Sequence, residues 1–195
     1  MIYQTQPTRL ASAFLVALIG GCTSLTVMSH VPVSTMSRLS SLKLAQIDPT
    51  QLRVAARLPD WLEPQPYGAK VHIDVEQAAG RDTKHEFILE PAVELPELAP
   101  LSAYARAGNR LWVYRLSQPD RDRLRRLITE TGGVSGVTIG AGVDACQRKP
   151  LRSAQLPTTT LLQIDSSGFF VLTEDLDLRS VVSERDLAAQ VPPCP

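Results

Sequence analysis

The feature that most restricts the fold is a run of short stretches in which apolar residues recur at every second position. Leu52, Val54, Ala56 and Leu58 alternate with Arg53 and Arg57 until Pro59 closes the stretch. Further on, Val71, Ile73 and Val75 alternate with His72, Asp74 and Glu76. A period of two places successive side chains on opposite faces of an extended chain, so both stretches read as half-buried strands. The turn-rich Pro64-Gln65-Pro66-Tyr67-Gly68 separates them. Residues 85–90 form a third strand and pair with the second as a hairpin through a loop containing Gly80. Residues 110–116, with Leu111, Trp112, Val113 and Tyr114, make a fourth. Val137, Ile139, Ala141 and Val143 mark a fifth of small residues, and residues 158–164 and 169–173 follow, joined by the hairpin turn Asp165-Ser166-Ser167-Gly168.

One helix interrupts this series. Ser117 is placed to cap it, Pro119 lies in its first turn, and Asp120 stands three residues after the cap, where side chain and cap satisfy free amides reciprocally. Leu124, Leu127 and Ile128 form its apolar stripe and Gly132-Gly133 ends it. Ser183 and Asp186 repeat the capping pattern for a short helix over 183–190. Between the third and fourth strands, Pro91, Pro96 and Pro100 punctuate an irregular crossing that leads to a brief helix over 101–107. Seven strands with one firm helix predict a mainly β fold, an antiparallel β-sandwich-like domain with one packed helix. A two-layer α+β sheet is the alternative.

Formal net charge is zero, so no bulk field points to nucleic acid or to an anionic surface. The amino terminus carries a sharper signal. Residues 1–9 are polar and end in Arg9, and the apolar residues 10–19 that follow are too few to cross a hydrocarbon core of about 30 Å. Ile19, Gly20 and Gly21 then precede Cys22. This segment resembles the lipobox of bacterial lipoproteins. The resemblance implies a signal peptide over 1–21, cleavage between Gly21 and Cys22, and lipidation of the Cys22 thiol, followed by acylation of the new amino terminus. Several acyl chains then make a stable membrane anchor where one chain is marginal. In two-membrane bacteria an Asp after the cysteine tends to retain such proteins in the inner membrane. Thr23 stands there instead, which favours the outer membrane with the domain facing the periplasm; the periplasmic side of the inner membrane is the alternative.

After the cysteine, Ser24, Thr26, Ser29, Ser34, Thr35, Ser37, Ser40 and Ser41 give a polar stretch without sustained period. It reads as a flexible tether, so that 22–47 holds the lipidated cysteine and tether and 48–195 a single globular periplasmic domain beginning at Ile47-Asp48-Pro49. Leu25, Val27, Val31 and Val33 alternate loosely and could instead dock as an extra strand. The chain has three cysteines. With lipid on Cys22, Cys146 and Cys194 remain as a pair, and an exported domain folds where disulfides persist, so a Cys146–Cys194 bond is expected. Two free buried thiols or a metal pair stay open as alternatives.

Groups for catalysis are few. His72 and Asp74 share a strand face, with His85 on the neighbouring strand, a thinkable metal set, although the expected register sets His72 opposite a residue near Phe87 or Ile88 and a solvated polar face explains the same residues. Ser135, in Gly133-Val134-Ser135-Gly136, lacks the full nucleophile elbow and precedes a strand where the elbow needs a helix. Gly140-Ala141-Gly142-Val143-Asp144-Ala145 matches a degenerate dinucleotide fingerprint but lacks the helix that must follow. Arg121, Arg123, Arg125 and Arg126 read as a solvated helix face diluted by Asp120 and Asp122. Glu174, Asp175 and Asp177 lack the glycine and flanking ligands of a calcium loop. The expectation is therefore a non-enzymatic lipoprotein with no cofactor, no metal and no nucleic-acid partner, which touches the membrane through Cys22 and docks an envelope protein. The alternative is a carrier of a lipid or hydrophobic ligand, for which Gly136, Gly140 and Gly142 would leave room between sheet and helix.

Overall fold

A computed structural model describes residues 30–78, 80, 82–92, 99–150 and 155–195. The expected export signal, the expected cleavage-site residues Ile19, Gly20 and Gly21, and the expected lipidation site Cys22 lie outside the described residues. Seven strands follow in chain order: β1 (Arg53–Pro59), β2 (Leu62–Gln77), β3 (Thr83–Pro91), β4 (Asn109–Leu116), β5 (Val134–Gln147), β6 (Pro157–Gln163) and β7 (Phe170–Asp177). Among the described residues, four helices accompany them: α1 (Val33–Ser40), α2 (Gln118–Glu130), α3 (Leu178–Val181) and α4 (Glu184–Gln190), with 3-10 turns at Leu44–Gln46 and Ala99–Tyr104.

The strands form one antiparallel sheet in the order β5-β2-β3-β4-β1-β6-β7. The chain is thus mainly antiparallel β with helices packed on it, as the alternation predicts. Its two layers come from one sheet that curls. Strand β3 is the joint: Thr83 to Ile88 pair with β2, and Leu89 to Pro91 pair with β4. Beyond this bend the β5-β2 side folds over until β2 and β5 touch β1, and β5 touches β6. The result is a nearly closed barrel with a seam between β5 and β7.

The amino-terminal stretch fills part of that seam. Helix α1 contacts both β5 and β7, the buried Thr35 hydroxyl donates to Val171 O, and Glu174 N–H donates to His30 O at 2.9 Å. Arg38 lies 4.3 Å over the Phe170 ring and pairs with Asp165 at 3.4 Å. Leu42, Leu44 and Ile47 are buried in the core. The tether reading of 22–47 is therefore corrected for residues 33–47, which belong to the globular unit. The cause is tertiary: a sheet edge leaves unpaired backbone groups that a covering segment satisfies. Serines and threonines on α1 look like linker composition because most of that helix faces solvent.

Strand β1 departs from expectation in a second way. It is buried on both faces from Val54 to Pro59, Arg57 included. One face, with Val54, Ala56 and Leu58, looks into the barrel. The other, with Ala55, packs beside Val113 and Leu161 beneath Leu101 and Ala92, where the 3-10 turn Ala99–Tyr104 lies over the sheet. Burying a leucine such as Leu101 contributes roughly 1.5–3 kcal/mol, enough to hold a short turn against a strand.

Helix α2 starts as its sequence requires. The Ser117 hydroxyl accepts from Asp120 N–H, Pro119 sits in the first turn, and Leu124 is buried among the barrel residues with Leu127 and Ile128 beside it. It closes the end of the barrel where β4 finishes. The other end is closed by Leu187 of α4 and Val191, which pack on Ala56, Leu58, Leu62 and Leu156. There the Cys146–Cys194 disulfide joins the tail to β5, with Cα atoms 5.0 Å apart. Gln147 N–H donates to Pro192 O and Cys194 N–H to Gln147 O, so the proline-rich tail is held by the backbone as well.

Candidate functional site

An opening in the barrel arises where β3 changes partners. Strand β2 pairs with β3 only from Lys70 onward, and β4 pairs with β3 only from Tyr114 to Leu116. Among the described residues, the first part of β2 and the first part of β4 have no strand between them. The gap is a groove of about 850 Å³, walled by Glu63 to Tyr67 and Ala69 on one side, Leu111 to Tyr114 on the other, and Leu89 to Ala92 at its back, with Ile88 at its rim. Its lining is mostly apolar, and its size lies within the range of ligand sites.

The β2 wall is a locked irregularity. Register with β5 shifts between Pro64 and Ala69. Pro64 and Pro66 fix their own φ and lack N–H donors, and the Gln65 side chain donates to Ala145 O at 2.8 Å. Gly68 lies against the neighbouring strand, where a Cβ would meet Asp144 O at 2.9 Å. Tyr67 takes a positive φ of 59° and stands 79% exposed at the rim, with Ile88 43% exposed across from it. The turn-rich stretch in the sequence is thus a bulge within one long strand that presents a tyrosine.

The titratable groups at the groove are a buried phenol and two paired carboxylates. Burial, then the nearby Glu63 charge, pushes the Tyr114 phenol up to about 12, so it stays neutral at any physiological pH. The Arg148 hydrogen bond holds the Glu63 carboxyl below its usual range. Glu90 pairs with Arg115 at 3.1 Å. Both lining carboxylates therefore have a guanidinium partner. A third guanidinium, Arg110, lies 5.6 Å from the Trp112 ring and close enough to Glu63 to help lower its carboxyl.

The residues singled out in the sequence lie elsewhere and apart. His72 faces Glu86 in register, with 3.6 Å between Nδ1 and the carboxylate, and Asp74 pairs with Lys84 at 3.4 Å. His85 stands opposite Ile73, on the other face of the hairpin from His72, and its Nε2 meets the Thr83 hydroxyl at 3.0 Å. That hydroxyl contact is local, two residues along one strand. Ser135 donates to Glu76 O, and among the described residues it meets no histidine. Asp175 is tied to Arg57 and Arg106, and Asp177 accepts from Leu156 N–H and Arg179 N–H. Gly140 to Ala145 lie within β5. On α2, Arg123 and Arg125 pair with Asp120 and Asp122, and Arg123 also covers the Phe87 ring at 4.1 Å. No group of three or more His, Cys, Asp and Glu residues suited to a metal occurs among the described residues.

The small residues of β5 divide. Gly136 lines a pocket of about 340 Å³ between α2, residues 42–45 and β5. Gly142 borders a cavity of about 600 Å³ along the seam, lined also by Thr158, Thr160 and Thr173. Sequence reasoning missed the apolar groove because it depends on where β3 leaves β2. The prolines flanking Tyr67 are the one local signal of it. No protein-family model, no curated protein and no solved structure matches the chain.

Proposed function

We propose that the protein is a membrane-anchored lipoprotein of the outer membrane, acylated at Cys22, whose β domain is a non-enzymatic interaction or envelope-assembly module that binds through the groove between β2 and β4. The observation that carries this reading is the groove itself, an apolar opening with Tyr67 and Ile88 exposed at its rim. Exposed apolar surface gathered around one concavity is costly in water and marks an interaction site. The chain's entry into the fold sets where an anchor at Cys22 would hold the domain. His30 sits at the seam beside β7, eight residues after Cys22, and an extended chain of that length spans at most about 28 Å. The seam is thereby held near the lipid. At the back of the groove, β3 is two strands from β5 and four from β7, so the opening lies on a different side of the barrel and stays accessible.

A photo-reactive amino acid at Tyr67 in intact cells tests this reading. It is expected to give a discrete envelope-protein adduct that the same residue at Thr129, on the exposed face of α2, does not give. Cys22→Ser is expected to release the protein from membranes or leave it unprocessed. Identical adducts from both positions, together with unchanged membrane attachment of the Cys22→Ser chain, would overturn it. The volume and apolar lining of the groove favour a second reading, carriage of a lipid or hydrophobic ligand in the periplasm.

A further inference from the structure

We infer that the β2–β4 groove takes a single-chain anionic amphiphile, with the acyl chain along the apolar walls and the charged head at Arg110. This rests on the carrier reading of the groove and names the ligand that reading leaves open. The walls supply the first half. Pro64, Pro66, Ile88, Pro91, Leu111 and Trp112 line a slot of about 850 Å³, which accommodates one alkyl chain, and burying each methylene contributes roughly 0.8 kcal/mol.

Charge supplies the second half. The lining holds two carboxylates, and each already has a partner: Glu63 bonds to Arg148 and Glu90 to Arg115. Arg110 is a third guanidinium, outside the lining but beside the lining residue Trp112. It lies 5.6 Å from the Trp112 ring and near enough to Glu63 to help lower its carboxyl, and among the described residues it has no ion-pair partner of its own. An anionic head beside Trp112 therefore meets an exposed guanidinium, which offers a carboxylate or phosphate two parallel donors. The alternation of β4 puts Arg110, Trp112 and Tyr114 on one side of the strand. The cation thus stands two residues from an aromatic ring that forms the groove wall.

A strand from a partner protein fits this opening less well. Pro64 and Pro66 on the β2 wall offer no N–H, which blunts that edge against strand addition.

The test uses the full chain with Cys22→Ser, which removes the chain's own acyl groups, and Trp61→Phe, which leaves Trp112 as its one indole. The probes are a bromo-undecanoate and its uncharged methyl ester, read by quenching of Trp112 emission and by titration calorimetry. Expected are saturable quenching by the acid, binding of the ester weaker by about fivefold to tenfold, and a similar loss for the acid, with none for the ester, in Arg110→Glu. Ile88→Glu, on an exposed rim position, should weaken both probes. Equal binding of acid and ester overturns the anionic head and leaves an apolar ligand site standing. Failure of both probes to quench, in a chain whose near-ultraviolet dichroism is native, overturns the ligand and the carrier reading together.

Discussion

Arg57 shows how much of the fold turns on single residues. Only 4% of it is exposed, and its guanidinium donates to the Thr159 hydroxyl at 2.7 Å, to Tyr104 O at 3.2 Å and to Asp175. Three acceptors from β6, β7 and the turn over the sheet offset the desolvation of a buried cation. Asp175 reaches Arg57 from a left-handed backbone conformation, φ 45°, and its other oxygen bonds Arg106 at 2.7 Å. The two partners are therefore unequal. Asp175→Ala strands a buried charge and is expected to cost about 2–3 kcal/mol in denaturant unfolding. Arg57→Met removes the charge itself and is expected to cost less. The reverse order would show that the pair is not what holds Arg57 inside. Burial raises the Asp175 carboxyl, but the Arg106 hydrogen bond and the two guanidinium charges outweigh it, and the net shift is downward from 3.8. A carboxyl depressed in the folded state stabilises above its unfolded value and loses that contribution as pH falls through the folded one. Stability of the wild type should therefore fall below about pH 4 more steeply than that of Asp175→Asn, as followed by thermal unfolding. In the sequence, Arg57 looked like the solvent face of a half-buried strand, because its period is the same whether or not a turn covers it.

The local signals that fixed elements were those that a few neighbours decide. Ser117 and Ser183 both cap helices as their spacing to Asp120 and Asp186 predicts. Asp165-Ser166-Ser167-Gly168 turns β6 into β7, with Gly168 at φ 92° and Ser167 N–H on the Asp165 carboxylate. Elements whose role depends on distant partners were not legible. Helix α1 was hidden in a serine-rich stretch, and the β2 bulge looked like a turn between strands. The disulfide is intermediate: composition and the expected export pointed to the pair, and the fold brings β5 and the tail together across a separation of 48 residues. A loop of that length gives about 4 kcal/mol in the chain-entropy model. The double variant Cys146→Ser, Cys194→Ser should lower the melting temperature by roughly 10 °C, and an unchanged melting temperature would mean that the tail's backbone bonds suffice alone.

For the whole molecule, the sheet order places two surfaces. The seam between β5 and β7 receives the chain from its amino terminus and is filled in part by α1, while the groove opens at β3, where the sheet bends. If Cys22 carries the anchor, the seam is held toward the lipid and the groove is turned aside. Spin labels on the acylated protein in vesicles give the measurement. A label at Met36, exposed on α1, should relax strongly with a nickel-chelating lipid, and one at Tyr67 weakly. Equal relaxation at both sites would dismiss a fixed orientation.

By itself the sequence determined the strand-rich class and the two capped helices, because each is written in the spacing of residues that lie close together. It also set out the cysteine accounting. The tertiary structure alone decided that one sheet supplies both layers, that residues 33–47 belong to the globular unit, that Arg57 is buried, and that β2 and β4 part to leave a groove. Each of these depends on which strand lies beside which, and a period of two is the same for a strand in the middle of a sheet, at its edge, or beside a gap.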